Sequence, residues 1–133
     1  MKKRVFAALA AAVLLGGALT APAAAESKYR KGDVNRDGEV SVDDAQLTLK
    51  EYTYYGVAGL DHFFDEEQLE LGNINGKTSI YTDSFHQERE VVVELNDAWL
   101  ILKYYTETVS NPDLKEIDIV EWARDKYPGI MGT

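Results

Sequence analysis

The stretch from Asp33 to Asp44 combines residue types and spacing that point to metal chemistry. Counted as a twelve-residue loop, it has oxygen-bearing side chains at positions 1, 3, 5, 9 and 12 and a glycine, Gly38, at position 6. Oxygen donors at alternate positions around a glycine bend are typical of calcium loops. We therefore predict one calcium site with these ligands in chain order: Asp33, Asn35, Asp37, the backbone carbonyl of Glu39, Ser41 and Asp44. The alternative is a metal-free turn rich in Asp and Asn.

We expect Asp44 to close the calcium shell from the first turn of a helix that follows the loop. The sequence predicts a helix over residues 43–55, with Asp43 and Asp44 favoured at its N-terminus by capping and by the helix dipole. Asp44 is shorter than the glutamate that usually closes such loops in calcium sensors.

The loop and its helix occur twice in the chain. Residues 40–52 align with residues 93–105, and Val, Asp, Ala, Leu, Leu, Lys and Tyr recur in register. Upstream, residues 32–35 align with residues 72–75. The repetition indicates an internal duplication of one loop–helix unit.

The second loop is longer than the first. It uses 25 positions, from Asn73 to Asp97, where the first uses 12, so it contains an insertion of 13 residues. β-prone residues flank a polar tip in this insertion, which predicts a β-hairpin; a disordered insert is the alternative. We expect this hairpin to extend a short backbone bridge between the two residues at position 8, Val40 and Val93.

A second metal site is harder to build. Asn73, Asn75 and Asp97 are its candidate ligands, but position 5 falls at Lys77, which cannot ligate a cation. Asp83, within the insertion, is a candidate replacement. With so few anionic ligands, we predict that this site is weak or lost.

The remaining segments complete a mainly α domain. We predict repeat one at 32–55, a linker helix at 61–71 capped by Asp61, repeat two at 72–109 with its insertion at 77–92, and a C-terminal helix at 112–127. Apolar residues at helical spacing support these helices.

The N-terminus predicts export. A basic start, an apolar stretch and an Ala-rich cleavage site over residues 1–25 are typical of a secretory signal peptide, and a retained anchor is the alternative. Cleavage removes three basic residues and no acid, which changes the formal net charge from −9 to −12 and leaves a secreted domain at 26–133.

The composition restricts the possible partners and activities. The strong acidity argues against nucleic acids and anionic membranes as partners. We expect the domain to be a monomer before it binds a partner protein. The chain contains no cysteine, so a bound metal is a plausible substitute for disulfides. His62 and His86 are isolated in the sequence and no nucleophile–base pair accompanies them, so we expect no enzymatic activity.

The two repeats resemble the dockerin modules of cellulosomes and related bacterial assemblies. The resemblance is carried by residues 32–38 with Asp44, by 45–52, and by the second helix at 97–105. It implies a paired loop–helix fold around calcium and a non-catalytic adaptor. Such an adaptor docks to a cohesin module of an extracellular scaffold, of the kind that degrades polysaccharides in cellulosome- or amylosome-like complexes.

The resemblance also implies a partner-binding face. It carries over to loop positions 10 and 11 and to exposed positions of each following helix. The implied residues are Val42, Asp43, Lys50 and Tyr54 in repeat one, and Leu95, Asn96, Lys103 and Glu107 in repeat two. The repeats differ from each other, so a single binding orientation is expected.

Other interpretations of these residues are open. Leu49, Leu95 and Leu102 are candidates for ordinary core packing. The domain is alternatively a secreted, calcium-stabilised regulator or inhibitor that acts through the hairpin insertion rather than a cohesin. A third interpretation is a calcium-stabilised structural domain without a dedicated ligand.

Overall fold

Four α-helices and one β-hairpin form the part of the chain that the computed structural model describes, residues 27–132. In chain order they are α1 (Val42–Glu51), α2 (Glu66–Gly72), β1 (Ser79–Thr82), β2 (Glu88–Val91), α3 (Leu95–Ser110) and α4 (Ile119–Lys126). The predicted combination of a mainly helical fold with an inserted hairpin is confirmed. The predicted signal peptide lies outside the described residues. Within them, no helix is both long and apolar enough to cross a bilayer.

The helices begin at polar caps. Ser41 and Asp44 form a capping box at the start of α1, in which the side chain of each residue accepts the backbone N–H of the other. At α2 the cap is Asp65, paired in the same way with Gln68, and the prediction of Asp61 as the cap is wrong. Asp65 and Gln68 are three residues apart, so that their side chains satisfy two backbone N–H groups at once. This reciprocal capping favours a helix that begins after Asp65 over one that begins after Asp61.

Two predicted helices are divided. The helix predicted over residues 43–55 ends as α1 at Glu51 and continues as a π-helical turn, Tyr52–Val57. The predicted C-terminal helix consists of a 3₁₀ turn, Pro112–Glu116, followed by α4. It breaks at Ile117, whose carbonyl accepts the Tyr104 hydroxyl at 2.7 Å instead of a helical N–H.

The hairpin is formed by β1 and β2 in antiparallel register, with Ile80 opposite Glu90 and Tyr81 opposite Arg89. This arrangement excludes a disordered insert. The expected bridge between Val40 and Val93 is absent, because the only sheet within residues 27–132 consists of β1 and β2. The two valines instead pack into different apolar clusters.

The core consists of two clusters. The larger one lies among α1, α3 and α4 and contains Ala45, Ile74, Leu100, Ile101, Tyr104, Ile119, Trp122, Ala123 and Met131. The smaller one contains Val34, Phe64, Leu71 and Val93. Position 2 of the first loop, Val34, thus packs beside Val93 of the second repeat, and position 2 of the second loop, Ile74, packs beside Ala45 of the first. Each repeat completes a cluster that the other one begins.

Arg89 joins the hairpin to the segment that follows α1, residues 55–60. The Arg89 guanidinium donates to the carboxylate of Asp83 at 2.9 Å and to the carbonyls of Gly59 and Leu60 at 2.9 and 2.7 Å. It also stacks on Tyr55, 4.5 Å from the ring centre. The Asp83 side chain is 1% exposed, so the pair is screened from water.

We predict that Arg89→Ala lowers the free energy of unfolding by about 1–3 kcal/mol, since it leaves one oxygen of the buried Asp83 carboxylate and the carbonyls of Gly59 and Leu60 without the Arg89 N–H groups. Urea denaturation of residues 26–133 in calcium measures this change. Arg124→Ala, at an exposed position of α4, is the control and is expected to change stability by less than about 0.5 kcal/mol. Equal effects of the two substitutions would contradict the anchoring role of Arg89.

Candidate metal centre

The first loop brings three carboxylates together. One carboxylate oxygen from each of Asp33, Asp37 and Asp44 lies within 4.8 Å of the other two. This is the only such group of acidic, histidine or cysteine side chains within residues 27–132. Three converging carboxylates at this spacing could hold a metal ion.

The loop backbone positions these side chains through short-range hydrogen bonds. Asp33 accepts the N–H groups of Asp37 and Gly38 at 3.1 and 2.9 Å, which folds the chain around its carboxylate. Gly38 has a φ of 98°, a region that L side chains rarely adopt, so the predicted glycine bend is confirmed. Arg36, with a φ of 61°, provides a second left-handed residue.

Asp44 joins the end of the loop to its beginning. One of its carboxylate oxygens accepts the Asn35 N–H at 3.0 Å, and the other accepts the Ser41 N–H at 2.8 Å. The residue is fully buried. The position-12 side chain therefore closes the loop.

The other predicted ligands, Asn35, Ser41 and Glu39, lie at different places relative to the carboxylate cluster. The Asn35 amide lies beside the cluster, since its oxygen accepts the Asp37 N–H at 3.2 Å and its nitrogen donates to the Asp37 carboxylate at 3.2 Å. The Ser41 hydroxyl is 3.5 Å from an Asp44 oxygen. The side chain of Glu39 is exposed and lies outside the cluster, as a carbonyl ligand at position 7 requires.

Within residues 27–132, no lysine, arginine or histidine forms an ion pair with the cluster. The nearby Arg36 pairs with Asp65 and Glu67 instead, at 3.0 and 3.5 Å. Burial raises the pKa of Asp44 to about 6, against the lowering effect of the two N–H groups that it accepts. Burial also raises the pKa of Asp33. A divalent cation would supply the missing charge and favour the ionised carboxylates.

The second loop is closed in the same way as the first. Asp97 accepts the N–H groups of Ile74 and Asn75 at 2.8 and 2.9 Å with one oxygen, and that of Glu94 at 2.7 Å with the other. These contacts correspond to those of Asp44 with Asn35 and Ser41. The duplication seen in the sequence is thus matched by equivalent hydrogen bonds.

The second loop lacks the means to hold an ion in the same way. In the first loop the Asn35 amide nitrogen donates to Asp37, but the equivalent nitrogen of Asn75 is buried without a partner because Lys77 occupies position 5. The Asn73 and Asn75 side-chain oxygens accept backbone N–H groups within the loop, at 3.1 and 2.9 Å. Burial raises the pKa of Asp97 to about 7, as it raises that of Asp44, so the difference between the two loops lies in the residues around the position-12 aspartate.

Asp83 does not replace the missing ligand. Its carboxylate accepts the backbone N–H groups of Phe85 and Gln87 at 2.8 and 3.0 Å and also pairs with Arg89. The Gln87 N–H is the largest contribution to an Asp83 pKa below the usual value. The residue stabilises the hairpin turn and is fully engaged there.

The residues implied as a partner face are exposed to different degrees. Val42, Tyr54 and Leu95 are 38%, 43% and 53% exposed, and Asp43, Lys50 and Asn96 are exposed too. Lys103 is half-buried, and Glu107 accepts the Trp122 indole N–H at 3.1 Å, which ties it to α4.

Leu49 and Leu102 occupy equivalent positions on α1 and α3 and are 41% and 40% exposed. Core packing is therefore the wrong interpretation for both, and for Leu95. Sequence reasoning missed Trp99, which is 39% exposed on the same side of α3 as Leu95 and Leu102. Its alignment with the exposed Gln46 was the available signal.

Comparisons of this chain with protein-family models, with curated proteins and with solved structures gave no match. An assignment of function therefore depends on the geometry of the two loops and on the helices that follow them.

We predict that Asp44→Asn weakens calcium binding roughly a hundredfold or more, because it removes one of three anionic ligands. Asp43→Asn is the matched control, since it removes the same charge from the adjacent, exposed residue. Isothermal titration of both variants measures the difference. Equal affinities for the two would contradict a site at the loop 1 cluster.

We also predict that Lys77→Asp gives the second loop a measurable affinity for calcium, because it supplies the position-5 carboxylate and a partner for the Asn75 amide. Lys126→Asp, an exposed substitution with the same change in charge, is the control. The stoichiometry of calcium binding should rise from one to two only for Lys77→Asp. An unchanged stoichiometry would show that position 5 does not decide the state of the second loop.

Proposed function

We propose that this chain is a secreted, calcium-binding adaptor of the dockerin type. It docks to a cohesin-type module of an extracellular scaffold, such as one that organises polysaccharide degradation. The observation that carries the proposal is the repeated closure of two loops by an aspartate at position 12, Asp44 and Asp97, each in the first turn of a helix. We assign partner binding to the pair of helices that these two units orient.

Calcium is the cation that this proposal assigns to the first loop. Three carboxylates and the neighbouring oxygens of Asn35 and Ser41 form a set of hard oxygen donors, which calcium prefers over the nitrogen and sulfur donors suited to zinc or copper. The second loop has carboxylates at two of the matching positions, Glu94 and Asp97, but asparagines at positions 1 and 3 and Lys77 at position 5. The proposal therefore includes one calcium ion for the domain.

The docking face combines α1 and α3, which pack against each other more extensively than any other pair of elements. Leu49 and Leu102 take equivalent places on it, as do Val42 and Leu95. Exposed leucine and valine side chains at repeated positions on two packed helices form an apolar surface suited to a partner protein.

The two halves of this face are not interchangeable. Where α1 has the exposed Gln46, α3 has Trp99, which packs edge-on against Tyr127 at 5.0 Å between ring centres. Lys50 lies 4.4 Å above the ring of Phe63, and its counterpart Lys103 is half-buried. A partner that docked in the reverse orientation would therefore meet a different surface. We propose that the partner binds in one orientation only.

The proposal is tested by binding to purified cohesin modules in calcium and in chelator. We expect one or more modules to bind only in calcium, with the double variant Leu49→Ser, Leu102→Ser losing at least about tenfold in affinity because apolar area no longer leaves water. Phe85→Ser, on the hairpin, is the control and should bind as the parent does. Binding that Phe85→Ser abolishes and the leucine variant retains would favour the hairpin-based regulator instead.

A further inference from the structure

The helix α3 exposes apolar and neutral side chains only. Four of its exposed residues are large and apolar, and we call them the α3 stripe: Leu95, Trp99, Leu102 and Val109. The other exposed residues of α3 are the neutral Asn96, Thr106 and Ser110. Of the charged residues on this helix, Asp97 is buried, and Lys103 and Glu107 are half-buried.

The other three helices expose charged side chains. The exposed residues of α4 are all charged: Glu121, Arg124, Asp125 and Lys126. On α2 the exposed residues are Glu66 and Glu70, and α1 exposes Asp43 and Lys50 beside its apolar positions. Charged residues are depleted at the centres of protein interfaces. Among the four helices, α3 is therefore the one best suited to the centre of an interface.

The α3 stripe runs along one side of its helix. Its members follow one another at intervals of four, three and seven residues, which places them within about 80° of the circumference and along about 21 Å of the axis. On α1 only Val42 and Leu49 are apolar and exposed at equivalent places. That helix ends at Glu51 after 10 residues, whereas α3 has 16. The larger apolar part of the docking face thus belongs to α3.

Trp99 is held in place by a series of aromatic contacts. It packs edge-on against Tyr127, which packs edge-on against Trp122 at 5.5 Å between ring centres. Trp122 in turn packs on Tyr104 at 5.4 Å, and both of these residues are buried in the larger apolar cluster. The indole of Trp99 is therefore oriented before a partner arrives, and binding costs little additional side-chain entropy.

We infer that Trp99 is the anchor residue of the docking face, with α3 at the centre of the interface and α1 at its rim. This role rests on the docking to a cohesin-type module proposed above, and it specifies which of the two orientations the partner takes. The partner presents an uncharged, apolar pocket that receives the indole, since buried tryptophans dominate binding energy at interfaces. The anchor belongs to the repeat that lacks the carboxylate cluster.

The test compares variants of residues 26–133 for affinity, in calcium, toward the cohesin modules that bind the parent domain. Trp99→Gln gives α3 the residue that α1 has at the equivalent place, Gln46, and should lower the affinity at least about thirtyfold. Gln46→Ala is the matched control and should change it less than about threefold. Both variants should keep the parent's circular dichroism spectrum, because Trp99 and Gln46 lie outside both apolar clusters.

Two further comparisons separate α3 from α1. Leu102→Ser should weaken binding at least about fivefold more than Leu49→Ser does, although the two leucines are equally exposed. The exchange variant, Gln46→Trp with Trp99→Gln, should stay as weak as Trp99→Gln alone, because α1 lacks an apolar residue equivalent to Val109 and exposes Asp43 and Lys50.

Fluorine NMR gives a direct readout of the anchor. The chain contains two tryptophans, so 5-fluorotryptophan labelling gives two resonances, and Trp99→Gln identifies one of them. Binding should shift the resonance of the exposed Trp99 more than that of the buried Trp122.

Equal losses from Leu49→Ser and Leu102→Ser, parent affinity in Trp99→Gln, or recovery of affinity in the exchange variant would overturn the role of Trp99 while the adaptor function stands. Absence of any cohesin complex would overturn both. Self-association of the parent domain that Trp99→Gln abolishes would identify a second copy of the chain as the occupant, and would also overturn this assignment.

Discussion

Each loop of this protein is closed by one aspartate side chain that accepts backbone N–H groups from both of its ends. Asp44 and Asp97 perform the same task in the two repeats, and both are buried. Burial makes an ionised carboxylate costly, as the pKa values of about 6 and 7 show. In the first loop Asp33 and Asp37 add to that cost, and a bound cation would offset it. In the second loop the corresponding neighbours, Asn73 and Lys77, carry no carboxylate, and it is Glu94 that adds to the cost for Asp97.

This closure determines what the rest of the molecule presents. It sets the first turn of α1 and of α3, and the exchange of Val34 and Ile74 between the two apolar clusters holds the repeats together. The helices then expose equivalent positions, Leu49 and Leu102, and Arg89 binds the insertion to the carbonyls of Gly59 and Leu60.

The sequence predicted local features well. The ligands of the first loop lie within twelve residues, so their spacing alone indicated the cluster, and the β-prone residues around the polar tip of the insertion indicated the hairpin. Features that depend on distant contacts were missed. Asp65, rather than Asp61, caps α2 because Gln68 completes its hydrogen bonds. Leu49 lies outside the core because α1 packs on α3 through other positions. The role of Arg89 depends on carbonyls about thirty residues away along the chain.

The most direct test of this account is calorimetric titration of calcium into residues 26–133 after chelation, with circular dichroism alongside. The account predicts one bound ion and a large gain in helix, because the carboxylates of the first loop repel one another until a cation joins them. Absence of binding, with the helices already formed, would contradict the metal assignment and remove the main support for an adaptor function.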